Sequence, residues 1–364
     1  MNRENLISCI QLINTPGIGP IGFRKLLRQF GSAENALSAL SRKKEVFSRR
    51  KAEEEIMTAE LKHVEIITAE DEAYPYNLKQ IEDFPPILYA KGNIELLKND
   101  NMLAVVGSRS ASLSALKLAG RIAADIARKD VVVVSGMARG IDAAAHQGAL
   151  EADGGTIAVL GTGIDVVYPL ENEKLYNKLV QNGLVLTEYP FHTKPQATNR
   201  IVSGLSKGVL VIEAGVRSGS LITAHQALEQ GRDVYAVPGA PYDGRASGCN
   251  KLLKEGAILV DDADDVLDNF DFSPVTFAPR HVKEPETADL FEYSLDNTEN
   301  NSDIPEQSGD EYSKLLSLVS ASGEDVDELI RAMGLPTEKV LTMIVELELD
   351  DRLMRLPGNK VAKI

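Results

Sequence analysis

The middle of this sequence predicts a doubly wound α/β domain, with a small helical domain before it and a winged-helix domain after it. Two apolar runs, Met102–Val106 and Val131–Val134, each end in a glycine-containing turn and lead into a long helical pattern. Buried strands that feed helices through such turns are βα units of a parallel sheet. The alternation continues with strands at Thr156–Leu160, Leu184–Thr187, Gly208–Ile212, Asp233–Val237 and Ala257–Val260. Helical patterns fall between them at Lys174–Gln181, Arg200–Lys207, Leu221–Gln230 and Gly248–Lys254. Short loops between alternating elements mark a doubly wound sheet, whose ligands bind at the carboxyl ends of its strands.

The flanks read differently. Glu4–Asn14 is amphipathic, with Leu6, Ile7, Ile10 and Ile13 on one side; a TPGIGP turn follows, and Ile21–Phe30 resumes the helical pattern. Two helices around such a turn resemble a helix-hairpin-helix module, whose hairpin N–H groups face a phosphate; a purely packing role is the alternative. Arg42–His63 is expected to continue as helix, and Val64–Thr68 as a short strand. The turn-rich stretch from Asp71 to Gly92 then wraps on the sheet, with Tyr74 packed. Phe270–Asp310 has the composition of an acidic linker. Tyr312–Ser320, Asp325–Met333 and Thr337–Asp350 then read as helices before a hairpin turning at Pro357-Gly358-Asn359. The expected domains are therefore 1–63, 64–269, 270–310 and 311–364. In the tail's last helix Lys339 stands against four later acids, which favours a protein contact over major-groove reading.

With 364 residues and 43% hydrophobic content, the chain is long enough for at least one large core. No apolar run approaches the ~20 residues that cross a bilayer, and the polar start at Met1–Ile10 predicts no signal peptide. The two cysteines, Cys9 and Cys249, lie far apart without metal-ligand spacing, so a reducing cytoplasm is expected and no metal site. The net charge of −15 argues against duplex DNA on a broad face. Much of the acid lies in the linker, however, so a narrow phosphate-binding groove remains open.

Three strand ends look suited to anions. Gly107-Ser108-Arg109 ends the first strand, Ser135-Gly136 with Arg139 the second, and Ser218-Gly219-Ser220 opens the helix after GVLVIEAG. Small residues expose N–H groups, the helix adds its positive N-terminus, and arginine adds a phosphate partner. Lys194, Asn199 and Arg200 bring further phosphate-seeking groups to the same edge. GSRSASLS lacks the Gly-Lys-[Ser/Thr] of a P-loop, and no GxGxxG follows the first strand, so ATP hydrolysis and dinucleotide binding are not expected. Gly161-Thr162-Gly163 alone is weak evidence. Asp142 and His146 share a helix face at i, i+4 spacing and predict a hydrogen-bonded structural pair. Glu213 suits either a general base or a loop tether, and the tether is favoured. Several cradles without a catalytic constellation fit a polyanion tracked along a groove.

In order, GSRSAS, SGMARGIDAAAH, TIAVLGTGIDVVYP, TEYP, NRIVSGLS, EAGVRSGSLITA, YAVPGAP and SGCNKLLKEGA resemble the DNA processing protein A (DprA, also called Smf) family, over roughly Asp71–Asp268. The resemblance implies an extended Rossmann-like sheet domain, a SAM-like helical front and a winged-helix tail. It further implies a cytoplasmic, non-enzymatic protein that binds single-stranded DNA, forms a homodimer, and uses no cofactor. Such proteins protect incoming strands in natural transformation and help load the RecA recombinase onto DNA coated with single-strand-binding protein. Gly107, Ser108 and Arg109 match the family's glycine–serine/threonine–arginine motif, whose arginine contacts phosphate. Its second basic region falls near Lys194–Arg200.

That second region departs from the family pattern, since KPQATNR lacks the phenylalanine that usually precedes Arg-Asn-Arg. Phe191 is the nearest substitute as a base-stacking platform, and weaker or more electrostatic binding is expected without one. Two rivals remain: a nucleotide phosphoribohydrolase using Glu213 and Arg109, and a nucleotide-sensing regulator. EAGVRSGS replaces the Pro-Gly-Gly-x-Gly-Thr loop of the former.

Overall fold

The structure is a computed structural model that describes residues 2–42, 44–273, 310–349, 352–356 and 358–363. Four helices form the front: α1 (Arg3–Ile13), α2 (Pro20–Phe30), α3 (Ala33–Leu40) and α4 (Arg49–Leu61). Asn2 and Ser32 cap α1 and α3 through their side chains, proline opens α2, and left-handed Gly31 ends it. The helix expected over Arg42–His63 is interrupted. Phe47 donates its N–H to Thr15 Oγ1 (3.0 Å) and accepts from Gln11 Nε2 (2.9 Å), which holds the stretch before α4 against α1. Ile7, Ile10, Leu12, Phe23, Leu37 and Ile56 are buried in one cluster with Ile87, Tyr89 and Val185 of the sheet. The helical front therefore packs directly on one sheet face.

The sheet domain alternates as expected. β1 (Glu65–Thr68), α5 (Tyr76–Lys79) and β2 (Ile87–Gly92) lead to β3 (Met102–Gly107), α6 (Leu113–Ala127), β4 (Val132–Ser135) and α7 (Ile141–Glu151). β5 (Thr156–Val159), α8 (Glu173–Asn182), β6 (Leu184–Thr187), α9 (Asn199–Leu205) and β7 (Gly208–Ile212) follow. The domain then runs through α10 (Gly219–Glu229), β8 (Asp233–Ala236), α11 (Ser247–Lys254), β9 (Ile258–Leu259) and α12 (Ala263–Asn269). The nine strands lie in the order β1-β2-β6-β5-β4-β3-β7-β8-β9. From β6 to β9 every pairing is parallel, while β1 and β2 add an antiparallel extension on β6. Alternate residues fill two faces: Leu103, Val105 and Val133 join Ile122, Ile141 and Ala145, while Ala104, Val106 and Val134 join Ile201, Leu205 and Ala224. Burial on both sides accounts for the unbroken apolar runs.

β3 sits between β4 and β7, so the chain winds one way through β4, β5 and β6 and then returns to β7. The loops after β3 and β7 meet at this reversal, where ligands enter doubly wound sheets. Phe270 is 6% exposed and packs in the core, and Lys207 Nζ donates to the carbonyls of Asp271 (2.7 Å) and Ser273 (3.0 Å). The packed domain thus reaches Ser273, beyond the expected boundary; the rest of the expected linker, 274–309, lies outside the described residues.

The tail comprises α13 (Asp310–Leu318), β10 (Glu324–Asp325), α14 (Val326–Met333), α15 (Thr337–Leu349), β11 (Leu353–Leu356) and β12 (Lys360–Lys363). β12 is central and pairs antiparallel with both neighbours. This is a winged helix with a third, two-residue strand that the sequence pattern did not signal; Pro357 of the expected turn lies outside the described residues. Leu315, Val319, Leu329, Ile344, Leu347 and Val361 form its core. Lys339 is paired with Glu311 at 2.6 Å. Among the described residues no helix is long and apolar enough to cross a membrane.

Candidate nucleic-acid interface

The carboxyl edge of the sheet is built by close backbone contacts. A Cβ on Gly107, the last residue of β3, would lie 1.9 Å from the carbonyl oxygen of Ile212 on β7. Gly140 has φ +74, and a Cβ there would meet the Ser108 carbonyl at 2.2 Å. Only glycine allows either approach. Ser108 N–H donates to the Glu213 carbonyl (2.8 Å), and Ile141 N–H to the Ser108 carbonyl (3.2 Å). Met137 and Glu213, both just past strand ends, hold left-handed φ values of 63 and 51. Such strain in non-glycine residues persists where the surroundings over-determine it.

Glu213 is a tether. Its Oε1 accepts from Ser112 N–H (2.8 Å), and its Oε2 forms a short bond with the Ser112 hydroxyl. Ser112 also caps α6. The turn that enters the first helix after the switch point is therefore tied down by the chain's own carboxylate, and Glu213 is not free to act as a base.

The second cradle is filled in the same manner. Asp142 Oδ2 accepts from Gly136 N–H and Ala138 N–H, each at 3.2 Å. Burial raises its carboxyl to about 6, opposed by those N–H donors and by nearby Arg109. Ser135 is fully buried and donates its hydroxyl to the Val105 carbonyl (2.6 Å). At the third strand end Ser218 Oγ caps Ser220 N–H and lies 2.7 Å from Ser220 Oγ, while Gly219 is exposed.

The expected Asp142–His146 pair does not form. His146, fully buried, bonds instead to Thr156 Oγ1 through Nδ1 at 2.7 Å. Thr156 gives its own proton to the Val133 carbonyl, so Nδ1 carries the imidazole proton. Burial lowers this histidine to about 3 and keeps it neutral.

The cations divide into two groups. Arg109, Lys194 and Arg217 are exposed and have no ion-pair partner among the described residues. Arg139, about half exposed, meets Glu171 at 3.2 Å. Arg200 is different: its guanidinium grips Glu188 with both terminal nitrogens and Asp83 through Nε at 3.0 Å, at 17% exposure. It clamps the TEYP strand end rather than facing outward. Asn199 Nδ2 reaches the Gly219 carbonyl at 3.4 Å and ties α9 to the start of α10.

Gly161 and Gly163 receive the segment that carries Lys194. Gln196 N–H donates to the Gly161 carbonyl (2.7 Å), Gly163 N–H donates to the Thr193 carbonyl (3.0 Å), and a Cβ on Gly161 would meet the Gln196 oxygen at 2.1 Å. The lone GxG is thus a packing device. Phe191, the expected substitute platform, is buried against Tyr89 with ring centroids 5.9 Å apart, so it faces the core. Sequence reasoning missed two exposed aromatics, Tyr168 after β5 and fully exposed Tyr242 after β8; exposure leaves no trace in local pattern. Among the described residues no group of three or more His, Cys, Asp or Glu is placed to hold a metal.

Comparison with known proteins agrees with this geometry. The family model for DNA recombination-mediator protein A matches residues 65–271, the DprA winged-helix model residues 300–359, and the DprA-like N-terminal HHH model residues 3–62. DNA processing protein DprA of Streptococcus pneumoniae is 47% identical over 207 residues, covering 56% of this chain and 73% of that protein. Protein Smf of Escherichia coli is 36% identical over 321 residues, 86% of this chain and 82% of its relative. The crystal structure of the pneumococcal protein superposes with a TM-score of 0.64 at 34% identity, covering 75% of this chain and 99% of that one. A Helicobacter pylori DNA processing protein A, described for its single-stranded DNA binding mode, gives 0.52 at 28% identity, covering 57% and 96%. With three family models in order along its length and relatives this similar, the chain belongs to the DNA recombination-mediator protein A family.

Proposed function

We propose that this chain is a cytoplasmic single-stranded-DNA-binding recombination mediator, and that the strand runs along the carboxyl edge of the sheet. Arg109, Arg139 and Lys194 contact phosphates, joined by Arg217. Gly107, Ser108, Ser135, Gly136, Asn199, Ser218, Gly219 and Ser220 shape the edge, and Arg200 positions it through Glu188. One observation carries this reading. Long cationic side chains stand exposed along the edge while Glu213 and Asp142 occupy N–H donors that a single bound phosphate would need. Such an edge suits a polyanion met at several points better than one mononucleotide held in a cradle. With Glu213 tethered, the reading assigns no catalytic group and no cofactor.

The biological role follows the family: protecting incoming strands in natural transformation, and helping RecA onto DNA coated with single-strand-binding protein. A second copy of the chain covers the apolar surface of α10 and the loop before it, where Ile222, Leu228 and the loop's Val216 are 53%, 52% and 62% exposed beside a cleft lined by His225, Lys251 and Glu255. Fluorescence anisotropy with a labelled single strand, competed by unlabelled duplex, tests the reading. Binding that duplex fails to displace supports it. Equal displacement by duplex and single strand contradicts it.

A further inference from the structure

The winged-helix domain is docked on the sheet domain through groups beside the proposed DNA path. Ser114, in the first turn of α6, donates its N–H (3.3 Å) and its hydroxyl (2.7 Å) to Glu324 Oε1. Glu324 belongs to β10 and is 5% exposed. One turn further along α6, Lys117 pairs with Glu328 of α14. A second contact joins the loop after β8 to the last turn of α13. Arg245 Nη1 donates to the Ser317 carbonyl (3.1 Å), and the Asp243 carboxylate, held against its burial below the usual carboxylate range chiefly by Arg245, also faces the Ala321 backbone. Together with Glu213 on Ser112, two carboxylates occupy the start of α6, one from each domain.

We propose that the winged-helix domain is a built-in competitor for the DNA-binding edge: Glu324 holds the α6 donors and Glu328 holds Lys117 until a single strand displaces them. This rests on the reading that the strand follows the carboxyl edge. Carboxylate and phosphate are drawn to a helix N-terminus for the same reason, its unsatisfied N–H groups and positive dipole end. One pair of Ser114 donors cannot serve both. The docked domain also sets Glu324 and Glu328 beside the path of an incoming polyanion. The Lys117–Glu328 pair is half exposed and exchangeable, with side chains 55% and 30% accessible. Linkage makes the effect reciprocal: docking weakens DNA binding by the same factor by which bound DNA weakens docking.

Hydrogen exchange on the full chain tests the proposal, read at peptides covering 324–328, with and without a saturating single strand of about 30 nucleotides. DNA is expected to raise exchange across 324–328, the opposite of a footprint, because this docking face is uncovered when Glu324 leaves Ser114 and Glu328 leaves Lys117. Glu324→Gln and, more accessibly, Glu328→Gln are expected to raise exchange there without DNA. Each is also expected to bind the strand about tenfold tighter, the scale of one charge-assisted hydrogen bond. A saturated complex in which exchange across 324–328 stays unchanged overturns the competitor and leaves the proposed function standing. Failure of the wild type and of both variants to bind overturns both.

Discussion

At the scale of single residues, charge type says less than environment. Arg109 follows a strand and Arg200 opens α9, and one is exposed while the other is half-buried in a two-carboxylate clamp. Arg109→Ala should therefore leave the melting temperature unchanged and weaken single-strand binding. Arg200→Ala should cost about 3 kcal/mol of stability or more, since it strands Glu188 in a partly buried site; chemical denaturation measures this. Asp142 supplies a pH test. Its carboxyl titrates near 3.8 when unfolded and about 6 when folded, so between those values only the folded state keeps the proton. Stability from that proton is present at low pH and lost as pH rises through about 6. Asp142→Asn should gain relative to wild type from pH 4 to 6.5 and then level off, a difference followed by thermal melts. His146 acts oppositely, losing stability as pH falls from 6.5 toward about 3, and cancels from that comparison because both proteins carry it. Arg109 at a strand end was legible in the motif. The clamp on Arg200 was not, because Asp83 lies 117 residues earlier and no local pattern announces it.

Among the elements, the strands were the most legible, since burial on both faces leaves an uninterrupted apolar run such as Met102–Val106. The break before α4 was hidden because distant bonds from Gln11 and Thr15 to Phe47 create it. β10 escaped notice because two residues carry no period. The glycines of the GSRS and GTG turns were visible, but the close backbone approaches that they permit were not. Gly161 and Gly163 pack against the 190–196 segment, and Gly107 lets β3 touch β7. Gly107→Ala places a methyl group 1.9 Å from the Ile212 carbonyl oxygen and 2.6 Å from the Ile141 side chain. It should lower stability by about 3 kcal/mol or leave the protein insoluble, as circular dichroism and expression yield would reveal.

For the whole molecule, the acidic balance is reconciled with a nucleic-acid role by placement. The carboxylates of Glu213 and Asp142 take up N–H donors of the strand-end turns from within, and Arg109, Lys194 and Arg217 stand outside at one edge. The three-part organisation was legible from composition and periodicity, whereas the docking of the tail on α6 was not, because Ser114 and Glu324 are 210 residues apart. If a second copy covers α10, Ile222→Arg should convert a dimer to a monomer in light scattering while retaining the fold.

The central claim is that exposed cations on the carboxyl edge, led by Arg109, bind DNA phosphates. Its most direct measurement is the salt dependence of single-strand affinity for wild type and Arg109→Ala. Each lost phosphate contact should reduce the logarithmic slope by about 0.7, so the variant should bind more weakly and with a shallower slope. An unchanged affinity and slope in a folded Arg109→Ala protein would contradict the account.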